Sequence, residues 1–288
     1  MRPEIDPKVD YAFKKVFGSE SNVDLLANLI NAVRDVPPDR QIVGLEIRNP
    51  FNAKETADDK VSVLDIKARD AAGRWYNIEM QMLAPWFFPQ RVLYYWAKVY
   101  VSQLVEGSDY RDLQPTISIA FVNSRLFPDS EGYHHCFTLF DQADETVLTD
   151  HLEIHLIELP KCTLTAEQLT TPLEVWCYFL RHGESLDTAS LPETLNIPPI
   201  QRALEVLNMM TQSELERERY EARLKGMRDQ SSSRFGEREM GKLMGEIRVC
   251  QLLLKQPQTP EEELEKLSLD DLSRLADQLR KQALPPGS

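Results

Sequence analysis

Cysteine is sparse: Cys136, Cys162, Cys177 and Cys250 are the only four in 288 residues, and they stand far apart. No two are spaced as a zinc knuckle needs, and no disulfide framework is called for. They read as small apolar residues of a reducing compartment. Long apolar runs are missing too. No stretch approaches the ~20 residues that span a bilayer, and no apolar signal core follows the opening Met-Arg-Pro-Glu-Ile-Asp-Pro. A cytoplasmic protein without a membrane partner is expected. Neither a phosphate-cradling Gly-rich loop nor a nucleophile elbow occurs. Positive charge is also in deficit, with 33 Lys and Arg against 46 Asp and Glu and a formal net charge of −13. That balance counts against tight, indiscriminate binding of nucleic acid, which rests on neutralising phosphates. It leaves room for a nuclease, because carboxylates crowded at a metal site add negative charge that a cation offsets locally.

What is present is a change of period along the chain. Val9 to Gly18 carries Val9, Ala12, Phe13, Val16 and Phe17 as one helical stripe, and a second helix is expected from about Asn22 to Val33. Strands are expected at Ile42–Arg48, Val61–Arg69, Arg74–Met82, Thr116–Val122, Tyr133–Phe140 and Leu152–Leu159. Asn49-Pro50 breaks the first, residues 51–60 read as a polar loop, and Asp70-Ala71-Ala72-Gly73 reads as a turn. An aromatic-rich helix, about Phe88 to Val105, precedes Thr116. Beyond Lys161 only helices are expected, at Leu173–Arg181, Pro198–Met227, Arg234–Lys255 and Pro260–Gln282, with Gln230-Ser231-Ser232-Ser233 as a linker or helix break. The order implies an α/β core, a mixed sheet flanked by helices, with a helical C-terminal extension. The expected domains are residues 1–228, with a core at about 6–160 and a helical part at 161–228, and an extension at 234–288.

Chemistry concentrates in one hairpin. In Val61-Ser-Val-Leu-Asp-Ile-Lys-Ala68, Asp65 and Lys67 fall on one side and Leu64, Ile66 and Ala68 on the other. In Tyr76-Asn-Ile-Glu-Met-Gln-Met82, Asn77, Glu79 and Gln81 oppose Ile78, Met80 and Met82. With residue 72 at the centre of the turn, Asp65 faces Glu79 and Lys67 faces Asn77. Like charges directly opposite destabilise a sheet, and a divalent cation would convert the repulsion into coordination. Alternation alone favours the polar side of a half-exposed hairpin, since half-buried antiparallel strands commonly carry this pattern. On the long helix, Arg91, Tyr95 and Lys98 share a face at i, i+4 and i+7. Arg91 is the better phosphate contact, while most of the neighbouring aromatics read as core. His134-His135-Cys136 and His151-x-x-x-His155 invite a zinc reading, but the compact paired spacing of zinc sites is absent, and polar strand positions are the expectation. Arg217 to Arg248 holds nine Lys and Arg against six acids, which reads as a solvated helical face before it reads as a path for DNA.

Asp65, a turn, and then Ile-Glu-Met-Gln on the next strand resemble the PD-(D/E)XK nuclease signature, with Gln81 in the lysine position. Residues 6–160 resemble more specifically the recombination-promoting nuclease/putative transposase family. The matching pieces are Asp10-Tyr-Ala-Phe-Lys-Lys-Val-Phe-Gly18, Leu64-Asp65, Asn77-Ile-Glu79-Met-Gln81, Arg91, Tyr94-Tyr95-Trp96, Gly107-Ser-Asp-Tyr110 and Pro115 to Ile119. The resemblance implies a restriction-endonuclease-like fold, a metal-dependent DNA endonuclease linked to recombination or transposition, and Mg²⁺ or Mn²⁺ as cofactor. It implies Asp65, Glu79 and the carbonyl of Met80 as metal ligands, and Gln81 as a residue that orients water or substrate without supplying charge. It adds Asp10, on the first helix, as an acid near the metal; a surface charge in a first helical turn explains Asp10 equally. DNA is the substrate implied, and a homo-oligomer stays open. The rival is a weak or inactive nuclease fold kept as a DNA- or protein-binding module, favoured by the acidic charge and by Gln81.

Overall fold

The computed structural model describes residues 2–48 and 66–283. Helix α1 (Asp10–Phe17) buries Ala12, Phe13, Val16 and Phe17 along the stripe read from sequence, and stops at Gly18, whose N–H donates to the Lys14 carbonyl at 2.8 Å. A Cβ on Gly18 would stand 2.9 Å from that carbonyl oxygen and 3.2 Å from Ile66 Cγ1. Glycine is therefore what lets the end of α1 close on the sheet. Helix α2 (Val23–Arg34) follows, then β1 (Leu45–Arg48), β2 (Ile66–Asp70), β3 (Trp75–Gln81), α3 (Phe88–Val101), β4 (Thr116–Val122), β5 (His134–Phe140) and β6 (Val147–Glu158). The described strands form one six-stranded sheet in the order β1-β2-β3-β4-β6-β5. Pairing is parallel between β3 and β4 and between β4 and β6, and antiparallel elsewhere. The mixed α/β core is as expected. Strand β1 starts three residues later than Ile42, β6 starts five residues earlier than Leu152, and α3 ends at Val101. The Asn49-Pro50 break, the 51–60 loop and residues 61–65, including Asp65, lie outside the described residues.

Each face of the sheet has its own cover. Phe88 and Val92 of α3 pack on Ala120, Val122, Leu152, Ile154 and Leu156. On the other face, Phe13 of α1 meets Phe121 with ring centroids 6.2 Å apart, and Arg34 of α2 pairs with Glu153 of β6. Helix α4 (Pro172–His182) joins this layer, its Trp176 indole N–H donating to Asn28 Oδ1 at 2.9 Å; α5 (Pro198–Gln212) packs there too.

One turn fixes the β2–β3 register. The buried Asp70 carboxylate accepts from Arg74 N at 2.9 Å, Arg74 Nε at 2.7 Å and the Tyr76 hydroxyl at 2.9 Å. Gly73 takes φ +91°, a left-handed conformation that side chains resist. Burial, then the Asp70 charge, pushes the Tyr76 hydroxyl well above its ordinary pKa, so it stays a donor to Asp70. The ladder then runs Ile66↔Ile78, Lys67↔Asn77, Ala68↔Tyr76, which is the expected facing of Lys67 and Asn77.

The helical half departs from expectation in where it breaks. Gln230-Ser231-Ser232-Ser233 is no break: α6 runs from Glu214 to Leu253 through it, since serine is only a middling helix former and not a breaker. The interruption falls at Ser213, where the backbone turns extended and Oγ accepts from Glu216 N at 3.4 Å, a serine N-cap. The chain divides into two compact units, Met1–Arg223 and Leu224–Ser288. The second has its own core of Ile247, Cys250, Leu264, Leu272, Ala276 and Leu279. Its last helical region is two pieces, α7 (Glu261–Leu264) and α8 (Leu269–Ala283). No helix among the described residues is long and apolar enough to cross a membrane.

Candidate active site

Alternation along β3 sends Asn77, Glu79 and Gln81 to the face covered by α3, and Ile78 and Met80 to the face covered by α1. The parallel register places Asn77 beside Ser118, Glu79 beside Ala120 and Gln81 beside Val122. Arg91, one turn into α3, reaches down to this row. Its Nη2 donates to Glu79 Oε2 at 3.4 Å and to Gln81 Oε1 in a shorter bond. Gln81 Nε2 donates to the Leu83 carbonyl at 2.9 Å, which fixes the amide with its oxygen toward Arg91. The guanidinium also lies 4.7 Å from the Phe88 ring centroid, a cation–π contact that holds its plane. Glu79 is 7% exposed. The structure thus gathers Glu79, Gln81 and Arg91 into one polar cluster between β3 and α3.

The other expected site residues fall differently. Asp65 lies outside the described residues. Asp10 accepts from Arg223 Nε at 2.7 and 2.8 Å, and from Tyr11 N at 2.8 Å; among the described residues it pairs with these and not with the β3 row. The Met80 side chain is buried on the opposite face, level with Phe121, so only its backbone carbonyl is relevant to the role expected of it. Among the described residues, no group of three or more His, Cys, Asp or Glu side chains is disposed to hold a metal ion.

Two features went unread in the sequence. Asn77 and Ser118, side by side next to Glu79, are buried with polar atoms that have no hydrogen-bond partner among the described residues. Ser118 is conspicuous only as an interior polar residue in an otherwise apolar stretch, which is the one sequence signal for it. Lys67, opposite Asn77, turns its ammonium over the Trp75 ring at 4.5 Å, and burial lowers its pKa.

The second feature is a chain of ionisable groups on the α2 face. His134 Nε2 and His155 Nδ1 are 2.8 Å apart, His155 Nε2 and Glu153 Oε1 are 2.7 Å apart, and Arg34 Nε reaches the same oxygen at 2.6 Å. Burial works against the Glu153 anion, but the bonds and charge of His155 and Arg34 outweigh it and hold the carboxyl at about 2. Burial, then the charges of His155 and His135, push His134 down to about 4. Burial also works against a charged His155, but Cys136 and Glu153 outweigh it and raise its pKa. These directions favour the charged form at His155 over His134. The histidines are occupied with each other and with Glu153, in keeping with their reading as strand positions.

Neither a curated protein nor a solved structure matches the chain. The six-stranded mixed sheet between helical layers fits a restriction-endonuclease-like fold. A family model described as "PD-(D/E)XK nuclease family transposase" matches residues 7–234, well over half of the chain, and the chain belongs to that family.

Proposed function

We propose that the chain is a metal-dependent DNA endonuclease that hydrolyses phosphodiester bonds, with Asp65, Glu79, Gln81 and Arg91 at its centre. The observation that carries this reading is the convergence of Glu79, Gln81 and Arg91 on one face of β3. The donors fit a hard divalent ion: a carboxylate, amide oxygens and a backbone carbonyl are the ligand types of Mg²⁺ and Mn²⁺. Glu79 and the Met80 carbonyl would hold the ion together with Asp65, the ligand set that the family resemblance implies. Such an ion supplies a nucleophilic water at neutral pH and stabilises charge on the phosphate. Arg91 would then bind a non-bridging phosphate oxygen through its guanidinium. Gln81 would orient the attacking water through its amide, with Arg91 and Leu83 holding it in place. Asp10 would act near the metal only after release from Arg223. The nuclease domain is proposed as residues 1–228 and the helical extension as 234–288, with DNA as substrate and a role in recombination or transposition.

A second reading, an inactive nuclease fold that binds DNA or protein, draws on one observation. Arg91 already pairs with Glu79 and Gln81, so those groups have partners without a cation. Incubating the purified chain with plasmid DNA in Mg²⁺, Mn²⁺ or EDTA, beside Asp65→Ala and Glu79→Ala, separates the two. Metal-dependent nicking lost in both variants is the expected result. Binding without cleavage in any metal favours the second reading.

A further inference from the structure

Asn77 and Ser118 are each 1% exposed, and among the described residues Nδ2 and Oδ1 of Asn77 and Oγ of Ser118 have no hydrogen-bond partner. Native interiors leave few such atoms, because burial removes the water that would otherwise satisfy them. Here three fall in a single cross-strand pair, Asn77↔Ser118. At the pair itself, β3 is laddered to both β2 and β4, and β4 to both β3 and β6. Lys67, across from Asn77 on β2, has its ammonium over Trp75 instead. Packing does not explain the pair, since β4 uses Ala120 and Val122 further along the same face, where burial is equally complete. The orphaned atoms lie on the face that carries Glu79, about two strand residues (~7 Å) from it.

The chemistry of the two side chains narrows what they can hold. Both are neutral and small. They offer two acceptor oxygens and three hydrogens to donate, and, set back from Glu79 by two strand residues, they suit the waters around an ion. Mg²⁺ and Mn²⁺ sites of the Mg²⁺ type keep several waters, and a metal-bound water points its hydrogens outward and needs acceptors around it. Oδ1 of Asn77 and Oγ of Ser118 are buried acceptors on the face of Glu79 with no partner among the described residues. We infer that Asn77 and Ser118 are positioning residues that hold the water shell of a hydrated divalent cation seated at Glu79. The inference rests on the metal reading proposed above, and it adds a reason why polar atoms are buried unpaired: their partners arrive with the ion.

The test uses the full chain and Mn²⁺ alone, with affinity read from the free-Mn²⁺ signal by electron paramagnetic resonance, and melting in EDTA read separately. Ser118→Ala and Asn77→Leu should each weaken Mn²⁺ binding about ten-fold, as loss of outer-sphere partners does, while the melting temperature in EDTA holds or rises because an unpaired buried group has been removed. Ser118→Ala removes one atom and keeps the test alive if Asn77→Leu fails to fold. Glu79→Gln is the control for the seat itself. Mn²⁺ binding that is lost in Glu79→Gln but unchanged in Asn77→Leu and Ser118→Ala overturns this inference and leaves the metal reading standing. Wild type that binds no Mn²⁺ overturns both. A fall in melting temperature in EDTA with Mn²⁺ affinity unchanged shows that the pair encloses a structural water, and likewise overturns the inference.

Discussion

Arg91 Nη2 stands 3.4 Å from Glu79 Oε2, with the arginine one-quarter exposed and the carboxylate nearly buried. The expected metal ligand therefore has a cation beside it already, and an incoming ion must share or displace that partner. Arg91→Ala should tighten Mg²⁺ binding several-fold in the absence of DNA, because a competing charge is gone. Nicking should fall about 100-fold or more through loss of the phosphate contact. Calorimetric titration with Mg²⁺, set beside single-turnover nicking, checks both halves. Weaker Mg²⁺ binding in the variant would mean that Arg91 props Glu79 in place and does not compete for it.

The same pair alters what Glu79→Ala does to stability. Two facing acids on a hairpin would lead one to expect relief of repulsion when either is removed. With Arg91 against it, Glu79 instead balances a partly buried guanidinium, whose Nε already has no partner among the described residues. Glu79→Ala should lower stability by about 1 kcal/mol, and Glu79→Gln by less, since an amide still accepts from Arg91. Urea unfolding in EDTA measures this; a variant more stable than wild type would show that repulsion dominates.

Gln81→Lys restores the residue typical of the wider superfamily, yet here it should fail to raise activity. Arg91 donates to Gln81 Oε1, and a lysine would set a second cation against the guanidinium. The expected outcome is a loss of about 1 kcal/mol in EDTA and nicking no faster than wild type. Gln81→Lys combined with Arg91→Gln should recover the stability, because the charges are then arranged in the opposite order. Recovery absent from the double variant would rule out the like-charge explanation.

Asp70 sits at the root of the hairpin and accepts three hydrogen bonds while almost wholly buried. Asp70→Ala should cost about 3 kcal/mol, because Arg74 and Tyr76 lose a buried anionic partner. It should also loosen the β2–β3 register that sets Lys67 opposite Asn77. Hydrogen exchange across residues 66–81 is the readout, and protection unchanged from wild type would show that the strands hold register without the turn.

Acid should weaken the fold through His134 first and Glu153 later. The folded pKa of His134 is about 4 against an ordinary 6.5. The folded state resists that proton, and stability falls as pH drops from 6.5 toward 4. Glu153 titrates at about 2 against 4.5, so its contribution is complete above 4.5 and is lost between 4.5 and 2. The raised pKa of His155 acts on the other side: its contribution is full below 6.5 and fades as pH rises through the elevated value. The melting temperature should therefore decline below about pH 6.5 in the wild type and decline less steeply down to 4 in His134→Asn. Parallel curves would exclude His134 as the source.

The hairpin was legible because its determinants are local. Asp70 and Gly73 make a tight turn, the alternation on each side has period two, and together they give Lys67↔Asn77 and put Glu79 and Gln81 on one face. Arg91 was legible as a helix position but not as a partner of Glu79, since the angle of α3 over the sheet comes from Phe88 and Val92 packing on β4 and β6. Asp10 was ambiguous for the same reason: Arg223 lies 213 residues away, and no local pattern announces the contact. The break at Ser213 did leave a trace, Ser-Glu-Leu-Glu, an N-cap serine with glutamate three residues on. The orphaned atoms of Asn77 and Ser118 could be read only from a structure, because being unpaired is a property of everything around a side chain.

Glu79 and Gln81 meet Arg91 across only 12 and 10 residues of chain. Closing so short a segment forfeits little chain entropy, and contacts of this range form early when a protein folds. The candidate centre should take shape with its own strand–helix unit, ahead of the pairing of β4 with β6 that completes the sheet. A substitution that slows the whole chain from reaching its final form can thus leave the centre already assembled inside the intermediate.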